Sequence, residues 1–171
     1  VGKSELILHT SKEKPHIYFL ADKRGTESNV SRFSTKCAEY FEHPTPNYKE
    51  WDSAFAYVKK RAHGKQLIIA IDEFSYLVEK DEVTPSVFQL CYDEILKDSK
   101  IMLILCGSSI SMMLKGALSR ESPLYGRRTG QWKMQPMEFR HVMEFYPKKP
   151  IEEVVGFYAV TGGIPEYILK M

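Results

Sequence analysis

The sequence predicts an α/β fold: a three-layer αβα sandwich with a mostly parallel sheet and a small helical appendage at its C-terminal end. Two observations predict it. Helical and strand patterns alternate along the chain, as in folds whose parallel strands are joined by helices. Two continuous apolar runs, at residues 66–71 and 101–106, are typical of strands that are buried on both faces of a sheet.

The first 118 residues hold the predicted strands and most of the predicted helices. Apolar side chains recur at helical spacing in two segments, and Thr84-Pro85 has the residue types that open a helix. Gly64 is suited to end the helix before it. The expected strands are 16–21, 66–71 and 101–106, and the expected helices are 27–41, 48–63, 84–97 and 110–116.

Beyond residue 118, glycine and proline break up the pattern. One strand is expected around 129–135, followed by short helices at 138–146 and 151–160. A Gly-Gly-Ile-Pro break at 162–165 then precedes a helix that starts near the end of the chain. We therefore expect residues 1–136 to form the core domain and residues 137–171 to begin a C-terminal helical subdomain.

Composition excludes several classes of protein. The 171 residues are 43% hydrophobic and 27% charged, which excludes a disordered tail, and a net charge of +2 does not by itself indicate a nucleic-acid or membrane partner. The longest apolar run, 101–106, is far shorter than the ~20 residues that span a bilayer. Three cysteines without a CxxC pair indicate a reducing setting, so we expect a soluble, cytoplasmic protein.

The chain opens with Gly2-Lys3-Ser4-Glu5, the second half of a phosphate-binding loop. Glycine lets the backbone approach phosphates, and the helix N-terminus that follows points amides at their negative charge. Lysine reaches the β- and γ-phosphates, and the serine hydroxyl is suited to ligate Mg²⁺. The alternative is a solvated lysine at a frayed N-terminus.

Paired acids follow the apolar run at 66–71. Asp72 and Glu73 stand where that strand ends, and ligands bind at this end of the strands in open α/β sheets. An aspartate there is suited to hold magnesium through water, and a neighbouring glutamate to orient and deprotonate an attacking water. An ordinary charged strand exit is the alternative.

Small polar residues follow the second buried run, at Gly107-Ser108-Ser109. A hydroxyl leaving a strand next to the acidic one is placed to hydrogen-bond a γ-phosphate or its attacking water. Ser109 is also suited to cap the helix at 110–116. The three elements together occur in the order that a nucleotide hydrolase requires.

The sequence resembles the ATPase domain of the archaeal-type ATPase family, P-loop NTPases allied to the AAA+ and STAND ATPases. The matching stretches are VGKSEL, IYFLADKR, WDSAFAYV, LIIAIDEFSYL, LILCGSS, SPLYGRRTGQWKMQPM and YAVTGGIPEYI. The strand and first glycine of the family's phosphate loop (Walker A) precede the point at which this sequence starts. We therefore expect a longer natural protein, and an open sheet edge beside the strand at 101–106.

The resemblance implies binding of ATP with Mg²⁺ and hydrolysis of the β–γ bond. Gly2, Lys3, Ser4 and Glu5 match the phosphate loop, with Ser4 as a magnesium ligand. Asp72 matches the magnesium-associated aspartate of the Walker B strand and Glu73 the catalytic glutamate, while Ser108 stands at the position of a polar sensor. Pro165 matches the GxP proline that packs near adenine in STAND ATPases.

Two arginines and the basic stretch that contains them are further candidates for a functional role. Arg127 or Arg128 is suited to stabilise charge on the transferring phosphoryl group, in its own subunit or in a neighbour of a homo-oligomer, with Arg128 the preferred candidate. Residues 120–149 hold seven Lys/Arg and three Asp/Glu, and a solvated basic face is the alternative. The leading interpretation is an ATPase that acts as a switch or motor. The other is a non-catalytic nucleotide-binding scaffold whose basic region binds DNA or a protein partner.

Overall fold

A computed structural model describes residues 2–171 of the chain. Its three strands are β1 (His16–Leu20), β2 (Leu67–Asp72) and β3 (Ile101–Leu105). The helices are α1 (Lys3–Ser11), α2 (Thr26–Tyr40), α3 (Trp51–Ala62), α4 (Phe74–Lys80), α5 (Thr84–Leu90), α6 (Ile110–Met113), α7 (Phe139–Met143), α8 (Ile151–Thr161) and α9 (Pro165–Ile168). Helix α5 continues as a π-helix over Cys91–Leu96, α6 continues as one over Leu114–Leu118, and Tyr125–Arg127 is a 3₁₀ turn.

The sheet is parallel, in the order β1-β2-β3. The α/β prediction is confirmed, and the strands predicted at 16–21, 66–71 and 101–106 each agree with an observed one to within a residue at either end. Strand β2 is central, which is why its apolar run is continuous. Strand β3 lies at the edge of the described sheet, the position at which the sequence predicts an open edge.

The unit of residues 8–130 is built on an aromatic core. Phe19 of β1 meets Phe33 of α2 and Trp51 of α3 with ring centroids 5.5 and 6.3 Å apart. The cluster continues through Phe55 to Phe88, at 5.5 Å. Edge-to-face pairs of this kind add stability beyond the area they bury, so they fix these helices against one face of the sheet.

Residues up to Ile7, together with Gln131–Met171, form a second compact unit. Its small core consists of Val142, Val154 and Ile168, all nearly inaccessible to solvent. The Tyr146 hydroxyl donates to the Ile168 carbonyl at 2.6 Å, which attaches the end of α9 to the segment after α7. The boundary predicted between residues 136 and 137 stays a prediction.

Two features differ from the sequence-based expectations. Helix α4 was not expected; it begins one residue after β2 and is only seven residues long, too short for a periodic signal. The strand expected around 129–135 is wrong, since Gln131–Met137 has no regular secondary structure. Trp132 in this segment is 83% exposed, so its apolar and polar alternation does not reflect a buried face.

Two further observations concern the cysteines and the lengths of the helices. The three cysteines are free thiols and all are buried. Burial raises the pKa of the Cys91 thiol to about 12, so this sulfur is protonated and a poor nucleophile at neutral pH. Among the described helices, none is both long and apolar enough to cross a membrane.

Candidate active site

The site is organised by the end of β2. Asp72 is the last residue of the strand and is 2% exposed. Glu73 alone connects β2 to α4, with φ 54° and ψ 36°. A left-handed conformation at a residue other than glycine costs about 1–2 kcal/mol. Such strain clusters at functional sites, where the surrounding structure enforces it.

The Glu73 carboxylate is held by two serines. The Ser108 hydroxyl donates to Glu73 Oε2 at 2.8 Å, and the Ser108 backbone N–H donates to the same oxygen at 3.3 Å. The Ser75 hydroxyl is a third donor, at 3.2 Å. All three donors converge on Oε2 and hold the carboxylate in one orientation. The direction of Oε1 is therefore fixed as well.

The Asp72 carboxylate is fixed at both oxygens. The Tyr18 hydroxyl donates to Oδ2 at 2.6 Å, and the Glu73 backbone N–H donates to Oδ1 at 2.9 Å. A buried carboxylate is costly unless it is hydrogen-bonded, and these two donors reduce that cost for Asp72. The second donor belongs to Glu73, the residue in the left-handed conformation. This hydrogen bond therefore links the two acidic residues directly.

The parallel sheet brings Ser108 to Glu73 across 35 positions of sequence. Cys106 follows β3 and donates its N–H to the Ile71 carbonyl at 3.0 Å, while its own carbonyl accepts from the Phe74 N–H at 2.7 Å. Gly107 lies between Cys106 and Ser108, and a Cβ there would lie 2.7 Å from Met113 Sδ and 3.1 Å from Ser75 Cβ, so a larger residue would require these side chains to shift. Ser109 caps α6, accepting from the Met112 N–H at 3.4 Å.

The residues present fit a nucleotide-bound Mg²⁺. No group of three or more His, Cys, Asp or Glu among the described residues is arranged to hold a metal ion by itself. Mg²⁺ in phosphoryl-transfer sites needs no such group, since it is held through one or two carboxylates, waters and the substrate's phosphates. Asp72, a single oriented carboxylate next to a second acid, has the chemistry that the protein part of such a site requires.

The phosphate-loop residues lie in the other unit. Helix α1 begins at Lys3, so Lys3, Ser4 and Glu5 form its first turn. Gly2 precedes them with φ 88°, and its carbonyl accepts from the Leu6 N–H at 3.0 Å. A Cβ on Gly2 would lie 4.0 Å from Pro165 Cγ, so the second predicted nucleotide-contacting segment is adjacent to the first.

The two arginines have different surroundings, both in the unit of residues 8–130. The Arg127 guanidinium forms a two-pronged ion pair with Asp93, with Nε–Oδ1 at 3.0 Å and Nη2–Oδ2 at 2.7 Å, and Nη1 donates to the Pro123 carbonyl. The Arg128 guanidinium lies 4.6 Å from the centre of the Tyr125 ring. Both line a cleft of about 390 Å³ together with Tyr92, Asp93, Lys97, Gly126 and Thr129.

These contacts predict different effects of alanine at the two arginines. Arg127→Ala removes the ion pair that joins the 3₁₀ turn to the π-helix, so we expect a lower melting temperature. The hydrogen bonds from Arg127 hold the pKa of Asp93 below its ordinary value of 3.8. The stabilisation is therefore present above pH 3.8 and lost as the pH falls through the lowered pKa.

The matched control is Arg128→Ala, which we expect to leave the melting temperature unchanged and to reduce ATP turnover. Thermal unfolding at pH 7 and at successively lower pH, with turnover measured beside it, checks both variants. Equal melting temperatures for Arg127→Ala and the wild type at pH 7 would contradict the anchoring role. Full turnover by Arg128→Ala would remove it from the catalytic account.

Sequence reasoning missed Tyr18, Ser75 and Asp93. Strand alternation was the available signal for Tyr18, because it places residue 18 on the same face of the sheet as Asp72 once the register is known. Ser75 lies in the unexpected helix α4. Asp93 pairs with Arg127 across 34 positions of sequence, and no local pattern indicates such a pair.

One acid after β1 was also missed. Asp22 accepts from Arg24 Nη2 at 2.7 Å and from Arg32 Nη1 at 2.6 Å. The hydrogen bond from Arg24, opposed in part by burial, lowers the pKa of Asp22 to about 2. Asp22 thus forms ion pairs with two arginines near the end of β1. The Glu73 carboxylate differs, because its donors are neutral hydroxyl and amide groups.

Comparison with known proteins gives a family match over the whole chain. The model of a family described as an ATPase domain predominantly from Archaea matches residues 1–171. An uncharacterized protein of Methanocaldococcus jannaschii is 39% identical over 173 residues, covering 100% of this chain and 37% of that protein. A second uncharacterized protein of that organism is 42% identical over 55 residues, covering 32% of this chain and 53% of that protein.

A solved structure supports the same architecture. The Walker-type ATPase of Pyrococcus abyssi superposes with a TM-score of 0.63 at 20% sequence identity, covering 98% of this chain and 57% of that one. At that identity the likeness shows the fold alone. The chain spans little more than a third of the length of the first curated relative.

Proposed function

Because the chain belongs to the family of ATPase domains predominantly from Archaea, we propose that it binds ATP with Mg²⁺ and hydrolyses the β–γ phosphoanhydride bond. One observation carries the proposal. Two acids at the carboxyl end of a central parallel strand are each held in one orientation, Asp72 by Tyr18 and Glu73 by Ser108. The first is suited to associate with the nucleotide's metal and the second to accept a proton.

In the proposed reaction, water attacks the γ-phosphorus and Glu73 Oε1 accepts one of its protons. The bond from the γ-phosphorus to the bridging oxygen breaks, and its electron pair leaves with ADP. Ser108 and Ser75 keep Oε2 engaged, which leaves Oε1 as the basic atom. Holding the base in place contributes to the rate because no reorganisation is needed when the proton moves.

The remaining assignments concern binding. Lys3 at the N-terminus of α1 would contact the β- and γ-phosphates, and Ser4 and Asp72 would hold the metal. When bound, Mg²⁺ neutralises charge on the two phosphates and aligns them. Glu5, in the same turn, would lie beside these phosphate contacts.

We also propose that the domain is AAA+/STAND-like and works as a nucleotide-dependent switch or motor. The Gly163-Ile164-Pro165 segment supports this, because Pro165 lies beside Gly2 of the phosphate-loop sequence and is therefore near the expected nucleotide. Arg128, in a cleft that also contains Lys97, would then act on a neighbouring copy of a homo-oligomer or contact a partner such as DNA. A cytoplasmic location is part of the same proposal.

The test measures ATP hydrolysis by the whole protein with and without Mg²⁺ and with and without DNA. Mg²⁺-dependent turnover is expected. Tight ATP binding without turnover would instead favour the non-catalytic scaffold, and stimulation by DNA would identify the partner class.

Binding is tested by Lys3→Ala. We expect ATP affinity, measured by calorimetry, to fall at least about tenfold, because losing even one charge-assisted phosphate contact costs about 1.5–3 kcal/mol. Lys12→Ala is the control: it makes the same change of charge just beyond the other end of α1, which ends at Ser11. Equal affinities for the wild type and Lys3→Ala would contradict the assignment.

A further inference from the structure

Tyr18 contacts the acid that the proposed function assigns to the metal. Its hydroxyl lies 2.6 Å from Asp72 Oδ2, the short distance expected when a hydroxyl donates to an ionised oxygen. Nothing in the sequence around residue 18 marks it as functional, since it is the central residue of the strand HIYFL.

The register explains why this residue and no other on β1 reaches Asp72. Tyr18 is opposite Ala70 and Leu20 is opposite Asp72, so Tyr18 is the diagonal neighbour of Asp72 on the same face. Diagonal neighbours in a sheet are within reach only of long or aromatic side chains. The residue directly opposite, Leu20, has no polar atom to offer.

The contact matters because Asp72 has two tasks. Its Oδ1 accepts from the Glu73 N–H and so supports the left-handed turn that carries the base. Its carboxylate would at the same time hold a metal-bound water. A carboxylate that rotated about its Cβ–Cγ bond would lose both contacts, and the hydrogen bond from Tyr18 to Oδ2 restrains this rotation from the neighbouring strand.

We propose that Tyr18 is a positioning residue that orients Asp72 for the nucleotide's divalent cation. This inference rests on the proposed function. The Tyr18 hydroxyl touches neither the substrate nor the reacting atoms; it acts through Asp72, and through the Asp72–Glu73 hydrogen bond it also steadies the base.

The test is Tyr18→Phe, which removes one oxygen and keeps the ring. We expect the affinity for Mn²⁺, measured by electron paramagnetic resonance with a non-hydrolysable ATP analogue, to fall about 10- to 100-fold, the effect of losing a residue that orients a metal ligand. The Mg²⁺ concentration for half-maximal hydrolysis should rise by the same factor. Calorimetry without metal should show unchanged affinity for the analogue.

Tyr76→Phe is the matched control. Tyr76 lies in α4, four residues after Asp72, and the Lys23 ammonium stacks over its ring at 4.9 Å, a contact that phenylalanine keeps. Removing this hydroxyl should leave metal affinity unchanged. A double-mutant cycle completes the test, since Tyr18→Phe should have no further effect on metal affinity in an Asp72→Asn background.

The outcomes separate this inference from the proposed function. Metal-dependent nucleotide binding by the wild type together with unchanged Mn²⁺ affinity in Tyr18→Phe would overturn the inference alone. So would a Tyr18→Phe effect of equal size in the Asp72→Asn background, which would indicate a general structural role. Absence of metal-dependent nucleotide binding by the wild type would overturn the proposed function and this inference with it.

Discussion

Glu73→Gln should greatly reduce ATP turnover while preserving binding of ATP and Mg²⁺. Glutamine has the shape of glutamate but cannot accept a proton from the attacking water, and general-base catalysis contributes about 10²–10⁴-fold to a rate. We expect turnover to fall by a factor in this range. Nucleotide affinity, measured by calorimetry, should stay close to that of the wild type, because Glu73 is not assigned to the phosphates.

The contacts of Glu73 allow a glutamine side chain to occupy the same position. An amide oxygen at the Oε2 position still accepts from Ser108 and Ser75, so the side chain can keep its place. Glu79→Gln in α4, the helix that follows Glu73, is the control, because Glu79 is exposed and pairs with Lys23 at 3.0 Å. Hydrolysis by Glu73→Gln at the wild-type rate would reduce Glu73 to a strand-exit acid.

Ser108→Ala tests how much the orientation of the base contributes to turnover, separately from the base itself. It removes the shortest of the three hydrogen bonds to Oε2 and leaves the one from the Ser108 N–H. Turnover should fall by less than in Glu73→Gln, with KM for ATP little changed. An increase in KM without a change in kcat would indicate instead that Ser108 contacts the phosphates.

The position of the acids was predictable from sequence because it depends on local patterns and one topological rule. An apolar run that ends in Asp72-Glu73 identifies a strand and its end. Parallel connection of β2 and β3 then brings Ser108 to the same edge of the sheet. The family resemblance, which spans nearly the whole chain, predicted the same arrangement, and the family itself is confirmed by the match over residues 1–171.

The contacts that hold the acids were not predictable, because each depends on register or on short-range geometry. Tyr18 reaches Asp72 only because β1 pairs with β2 in one register, and a shift by one residue would place it on the opposite face. Ser75 reaches Glu73 because the chain reverses through a single left-handed residue. Composition and periodicity carry neither kind of information.

The strand expected around 129–135, in the stretch broken up by glycine and proline, is the opposite case, because no strand forms there. Alternating apolar and polar residues around Trp132 resemble a strand, yet alternation indicates a strand only where one face is buried and a partner strand is present. The described sheet has three strands, none of them from this stretch, and the Trp132 side chain is exposed. By contrast, the break expected at Gly162-Gly163 is present. The structural reason for glycine there is a contact with a backbone segment that is distant in sequence.

That contact makes Gly163 the glycine whose substitution should destabilise the protein most. A Cβ at this position would overlap the Met137 carbonyl oxygen and lie 3.1 Å from the Met137 carbonyl carbon and nitrogen. These are backbone atoms, and they cannot turn away as a side chain can. The Met137 N–H also donates to the Gly163 carbonyl at 2.8 Å, so separating the two segments to admit a methyl group would break this hydrogen bond.

We expect Gly163→Ala to lower the free energy of unfolding of the C-terminal unit by about 2–4 kcal/mol, combining the left-handed penalty at φ 72° with overpacking. Two other glycines separate these causes. Gly162→Ala, at φ 58° with nothing within 4 Å of its Cβ, should show the left-handed penalty alone, about 1–2 kcal/mol. Gly156→Ala, inside α8 with equally open space, should stabilise by about 0.5–1 kcal/mol.

Hydrogen exchange of the amides in α7, α8 and α9 measures the three variants locally, and thermal unfolding measures them globally. The expected order of protection is Gly156→Ala above the wild type, then Gly162→Ala, then Gly163→Ala. Because Ile164 and Pro165 follow directly, Gly163→Ala should also weaken nucleotide binding more than Gly162→Ala does. Equal loss at positions 162 and 163 would show that the left-handed backbone, and not the close approach to Met137, requires glycine here.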